Sequence, residues 1–169
     1  KRISPDIIRD EQYMDFLRNR MFRQTLLCHQ GIELDRQVHA GRLAGLLLAS
    51  AAEPVEPPLD LSVARPATFR SPGGMSIRCE NIQTQAALMV LKEQWPRALD
   101  LDEIRRRADQ RLERAGYPAG RPAGEPGALE TDLLQCCTVN VVEMRSWQGP
   151  LVTTVSPAPV AGAWARYQA

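Results

Sequence analysis

The stretch Asp100–Pro118, DLDEIRRRADQRLERAGYP, is the clearest local signal in the chain. Leu101, Ile104, Ala108 and Leu112 recur along one face at helical spacing. Asp100 and Glu103 stand in a capping-box pattern, with Asp in place of the usual Ser or Thr. Gly116 suits the left-handed position that ends a helix, and Pro118 bars its continuation. Arg105, Arg106, Arg107, Arg111 and Arg114 cover the opposite side, interspersed with Asp109 and Glu113, the pattern of a solvated face.

Helical patterns flank this segment. Upstream, Leu88, Leu91 and Trp95 share a face, with Asn81 as N-cap and Pro96 as the stop. Downstream, the loop GYPAGRPAGEPG (Gly116–Gly127) is flexible by composition. Ala128 to Val139 reads as a third helix with Leu129, Leu133 and Cys136 inward. Val141–Trp147 and Leu151–Val155 flank Gln148-Gly149-Pro150 as a β-hairpin, with Val142, Met144, Val152 and Val155 as its inner positions. Three helices and a terminal hairpin are the winged-helix order. Residues 81–169 are therefore expected to form a winged-helix-like subdomain, its tail tacked on by Trp164 and Tyr167.

Residues 1–80 read differently. Tyr13, Phe16 and Leu17 fall on one helical face, and Arg18 and Arg20 crowd the last turn, where cations suit the helix dipole. From Phe22 to His29 the period changes to alternation, which predicts a strand. Gly31 to Gly41 is a polar connection with a helical turn, and Arg42 to Ala52, RLAGLLLASAA, reads as a buried strand. EPVEPP (Glu53–Pro58) stops it, since prolines sustain neither ladder nor helix. Ala67–Arg70 and Met75–Cys79 flank the turn Ser71-Pro72-Gly73-Gly74 as a hairpin. The fold class is α+β: a small helix-plus-antiparallel-sheet subdomain over 1–80, then the winged-helix-like subdomain over 81–169.

Composition narrows the function. A formal charge of +1 over 169 residues gives no field to gather nucleic acid or anionic membrane. No apolar run approaches the roughly 20 residues that span a bilayer. Cys28, Cys79, Cys136 and Cys137 lack the spacing of a zinc site and read as buried thiols of a cytoplasmic protein. Cys28 and His29, as neighbours on a strand, point to opposite faces and make no catalytic pair. No residue is assigned a catalytic, cofactor-binding or metal-binding role. A DNA-binding winged helix is the alternative function. The third helix argues against it, because GALETDLLQCCTVN holds no Arg or Lys and opens with Glu130 and Asp132, which repel phosphate.

The run EQYMDFLRNRMFRQTLLCH (Glu11–His29) resembles the opening of the methyltransferase regulatory domain family. Ala86-Ala87-Leu88 through Trp95-Pro96-Arg97-Ala98-Leu99, and the closing Trp164-Ala165-Arg166-Tyr167-Gln168-Ala169, fit the same family. The resemblance implies a domain that follows the catalytic core of bacterial S-adenosylmethionine-dependent methyltransferases, including protein lysine methyltransferases. It implies a non-catalytic accessory role in regulation or substrate recognition. The expected partners are the catalytic domain and a protein substrate. The chain carries no E/D-x-G-x-G-x-G turn, and Lys1 stands where an initiator Met would be, so S-adenosylmethionine is expected in a domain upstream of Lys1. The isolated chain is predicted to show no saturable S-adenosylmethionine binding by calorimetry; a stoichiometric micromolar isotherm would contradict this.

Overall fold

The computed structural model describes residues 6–22, 28–35, 37–118, 125–149, 157–158, 160–162 and 166–167. The chain is α+β, with four α-helices and short antiparallel sheets among the described residues. It divides into two compact units, Lys1–Gln37 and Val38–Ala169.

The first unit holds helix α1, Ile7–Leu17. Asp6 caps it, its carboxylate accepting from the Ile8 amide at 2.9 Å. The helix starts earlier and ends sooner than the sequence suggested. Arg18 is its C-cap, so neither Arg18 nor Arg20 lies in the last turn. The strand expected over Phe22–His29 lies mostly outside the described residues.

The second unit is built around helix α2, Ile82–Gln94. The Asn81 side chain accepts from the Gln83 amide at 2.8 Å and fixes its start. Ile82, Thr84 to Leu88, Val90 and Leu91 are buried, so this helix is enclosed on nearly every side. Helices α3 (Leu101–Arg114) and α4 (Ala128–Thr138) pack against it, as do strands β1 (Leu47–Ala49), β2 (Glu53–Pro54) and β4 (Ser76–Cys79). One apolar core runs from Leu43 to Val142. Trp95 was expected to share a helical face with Leu88 and Leu91. It is instead the C-cap residue, with an extended backbone and 40% of its surface exposed.

Helix α3 ends as its sequence dictates. The Tyr117 amide donates to the Leu112 carbonyl and the Gly116 amide to that of Glu113, both at 3.0 Å, with Gly116 at φ +80°. This is the Schellman closure, which requires a residue free of the Cβ penalty. Its start is half a capping box. Asp100 accepts from the Glu103 amide at 2.8 Å, but the Glu103 carboxylate turns to Arg106 and Arg107.

Two sheets complete the unit. β3 (Ala67–Arg70) and β4 form the expected hairpin, with Phe69 opposite Ile77. β2 joins it on the far side of β3, Glu53 opposite Arg70 and Pro54 opposite Phe69. The proline-rich segment therefore does pair, which corrects the expectation that it sustains no ladder. Pro54 is tolerated because an edge strand does not need its missing N–H. The run Arg42–Ala52 is not one strand: Ala40–Leu43 forms a 3-10 turn and only Leu47–Ala49 is extended.

β1 pairs with β5 (Glu143–Arg145), Leu48 opposite Met144, in an antiparallel ladder. On its other side Leu48 exchanges both backbone hydrogen bonds with Leu99, at 2.8 and 2.9 Å. Ser50 extends the link, its hydroxyl donating to the Val141 carbonyl at 2.7 Å. Val142 is buried as expected, whereas Met144 is half exposed. The second arm of the expected hairpin, with Val152 and Val155, lies outside the described residues, as does Trp164. Leu48→Ala is predicted to cost about 2–5 kcal/mol in urea unfolding, against less than about 1 kcal/mol for Met144→Ala across the ladder. Equal costs would contradict this placement of the core.

Candidate functional site

Helix α1 and the residues just after it expose several large apolar side chains. Phe16 is 84% exposed and Phe22 90%, and Ile8, Tyr13, Leu17 and Met21 are also exposed. Tyr13, Phe16 and Leu17, which share one helical face by spacing, are each at least half exposed. Large apolar surface held in water is the signature of a docking surface, since each such ring gains roughly 1.5–3 kcal/mol when buried.

The polar groups of the second unit are mostly committed to holding it together. Thr84, fully buried on α2, donates to Asp132 of α4 at 2.7 Å. Gln83 donates to Asp109 of α3 at 2.7 Å. Arg105 of α3 bridges to Glu130 of α4 and to Asp102 at 3.1 Å. Asp109 therefore serves α2 rather than balancing the arginines, contrary to the sequence pattern. Glu130 and Asp132, expected to repel phosphate from the head of the third helix, are both internal ties. Arg145, at the strand that follows that helix, is spent on a clamp. It donates to the Pro96 carbonyl and the Glu143 carboxylate, each at 2.7 Å, and lies 5.3 Å from the centre of the Trp95 ring.

Three cysteines, Cys79 of β4 with Cys136 and Cys137 of α4, are buried in the core, while Cys28 is exposed, against expectation. A hydrogen bond between Cys136 and Cys79 lowers the Cys79 pKa and, together with burial, raises that of Cys136. Burial pushes the Cys137 thiol up to about 11. These thiols fill space as small apolar groups. Among the described residues no group of three or more His, Cys, Asp or Glu side chains gathers as a metal site. No described helix is long and apolar enough to cross a membrane. The passage from β4 into α2 runs through Glu80 and Asn81 and offers no glycine cradle for a nucleotide cofactor.

This architecture has known counterparts. Residues 1–29, which include α1, match the predicted methyltransferase regulatory domain family. The uncharacterized protein RP789 of Rickettsia prowazekii (strain Madrid E) is 56% identical over 34 residues, which is 20% of this chain and 6% of that protein. The structure of PKMT2 from Rickettsia typhi in complex with AdoHcy aligns with a TM-score of 0.70 at 25% identity, over 96% of this chain and 31% of that one. A second structure of PKMT2 from Rickettsia typhi gives 0.71 at 24% identity, over 97% and 32%, a likeness of fold. The resemblance to the methyltransferase regulatory domain family therefore holds, carried by residues 1–29. The chain spans about a third of the length of the PKMT2 structures, and its fold is one they contain.

The burial pattern sets a chemical expectation. Iodoacetamide at pH 8 is predicted to label Cys28 in the native protein within minutes, and Cys79, Cys136 and Cys137 only after denaturation. Rapid native labelling of Cys136, read by peptide mass spectrometry, would contradict the core described above.

Proposed function

We propose that this chain is a non-catalytic accessory domain of an S-adenosylmethionine-dependent methyltransferase, acting through protein–protein docking. The observation that carries the reading is the uncovered face of α1, which lies in the segment matched to the regulatory-domain family. In this reading the face packs on the catalytic domain of a longer protein, of which the PKMT2 structures offer the pattern. S-adenosylmethionine is bound by that catalytic domain, and this chain supplies binding energy and orientation remote from the transferred methyl. The substrate presented is a protein.

The half from residue 81 onward is read as winged-helix-like, used for docking rather than for DNA. Its support is the order α2, Leu99 bridge, α3, α4, β5, together with the commitment of Arg145 to a structural clamp. Buried free thiols suit the reducing cytoplasm as its setting.

The test uses the longer methyltransferase. Phe16→Asp, alone and combined with Phe22→Asp, is expected to lower protein methylation by about tenfold or more, as removal of a buried aromatic anchor does. S-adenosylmethionine affinity should stay unchanged. Methylation at the unaltered rate, in protein that retains its circular dichroism, would overturn the proposal.

A further inference from the structure

Between α2, α3 and the segment Leu59–Leu61 lies an open cleft of about 720 Å³. Its α3 wall presents Arg106, Arg107, Arg111 and Arg114. Positions 107, 111 and 114 follow helical spacing and so line one face. The floor is apolar, with Leu59, Leu61 and Val90.

Two of these arginines are not freely solvated. Arg107 and Arg111 are only 30% and 29% exposed at the side chain. The Glu103 carboxylate accepts from Arg106 and from Arg107, each at 2.6 Å, and those bonds hold its pKa below the ordinary carboxyl value. Glu93 accepts from Arg111 at 2.6 Å. Four guanidiniums carry roughly twenty N–H donors. Glu103 and Glu93 engage four of them. Arg114 has no ion pair or hydrogen bond with a described residue. The cleft thus gathers four guanidiniums against two lining carboxylates, Asp60 and Glu93, above an apolar floor.

We infer that this cleft binds an acidic peptide segment in which Asp or Glu residues are interspersed with apolar ones. The carboxylates would take the unused guanidinium donors, a bidentate match that arginine favours. The apolar side chains would cover Leu59, Leu61 and Val90. Glu93 and Asp60 also stand in the lining, so ligand anions must fall between them, which a peptide with spaced carboxylates can do and a dense phosphate backbone cannot. The inference deepens the docking role proposed above by naming the chemistry of one partner.

The experiment is fluorescence anisotropy with the full chain and a labelled peptide of about ten residues built from Asp, Glu and Leu. Saturable binding is expected, weakening at least about fivefold between about 50 and 300 mM salt. Substituting Asn and Gln for the acids should abolish it. Arg114→Glu should weaken it by about tenfold or more, because that side chain has no structural partner to lose among the described residues and reversal of its charge sets a like charge against the ligand. Arg78→Gln, outside the cleft, should leave it unchanged. Absence of binding, equal binding by Arg114→Glu, or displacement of the peptide by duplex DNA of similar length would overturn the inference. No catalytic domain takes part in this assay, so its failure is separate from failure of the methylation test.

Discussion

A helix enclosed on nearly every side must find internal partners for any polar side chain it carries. Helix α2 meets that constraint with Thr84 and with the amide nitrogen of Gln85, both residues fully buried, while Gln85 Oε1 stays without a partner among the described residues. Thr84 donates to Asp132, and the Gln85 amide donates to the carbonyls of Arg65 and Cys79 at 2.6 and 2.9 Å. Each bond reaches a different element, so α2 fixes at once the position of α4, of the segment before β3, and of the end of β4. A buried amide or hydroxyl left without a partner costs about 1–3 kcal/mol, which makes alternative packings of these elements unfavourable. Ala86 and Ala87 between them leave little bulk, and the neighbours close in.

The charged layer outside this core has two kinds of arginine. Arg105 and Arg145 tie elements together, one bridging α3 to α4 and the other holding the turn at Trp95 and Pro96. Arg106, Arg107 and Arg111 are oriented by acids but keep most of their donors. A nearly neutral chain can therefore present a local cationic surface, because four arginines are gathered on one cleft whose lining holds two carboxylates, Glu93 and Asp60.

Much of this was legible in the sequence where local rules suffice. The N-cap Asn81, the cap and C-terminal glycine of α3, and the turn between β3 and β4 were all readable, because each is decided by a few neighbouring residues. What failed to read was decided across distance. The pairing of β1 with β5 and of Leu48 with Leu99 joins segments that no periodicity connects. The paired Pro54 depended on β3 offering an edge. Trp95 shared a face with Leu88 and Leu91 by spacing and Met144 looked inward, yet both lie at the rim of the core. Tyr13, Phe16 and Leu17 followed helical periodicity faithfully, but periodicity reports only that a face is apolar and not what covers it. The arginine cleft was visible as a charge run; its depth and floor came from Leu59 and Leu61, some forty positions upstream.

The closure of Leu48 between Leu99 and Met144 also bears on how the molecule comes to be made. Ser50 and the carbonyl it bonds are separated by 91 residues. At an elongation rate of roughly 5–20 residues per second, the first strand waits about 5–18 s on the ribosome for its ladder partner. During that interval one edge of a short apolar strand is unfilled, a template for the wrong neighbour. Only three residues of it are extended, and the 3-10 turn before it and the prolines after it keep it from growing into a longer adhesive edge. The brevity of this strand thus guards the nascent chain as well as finishing the folded one.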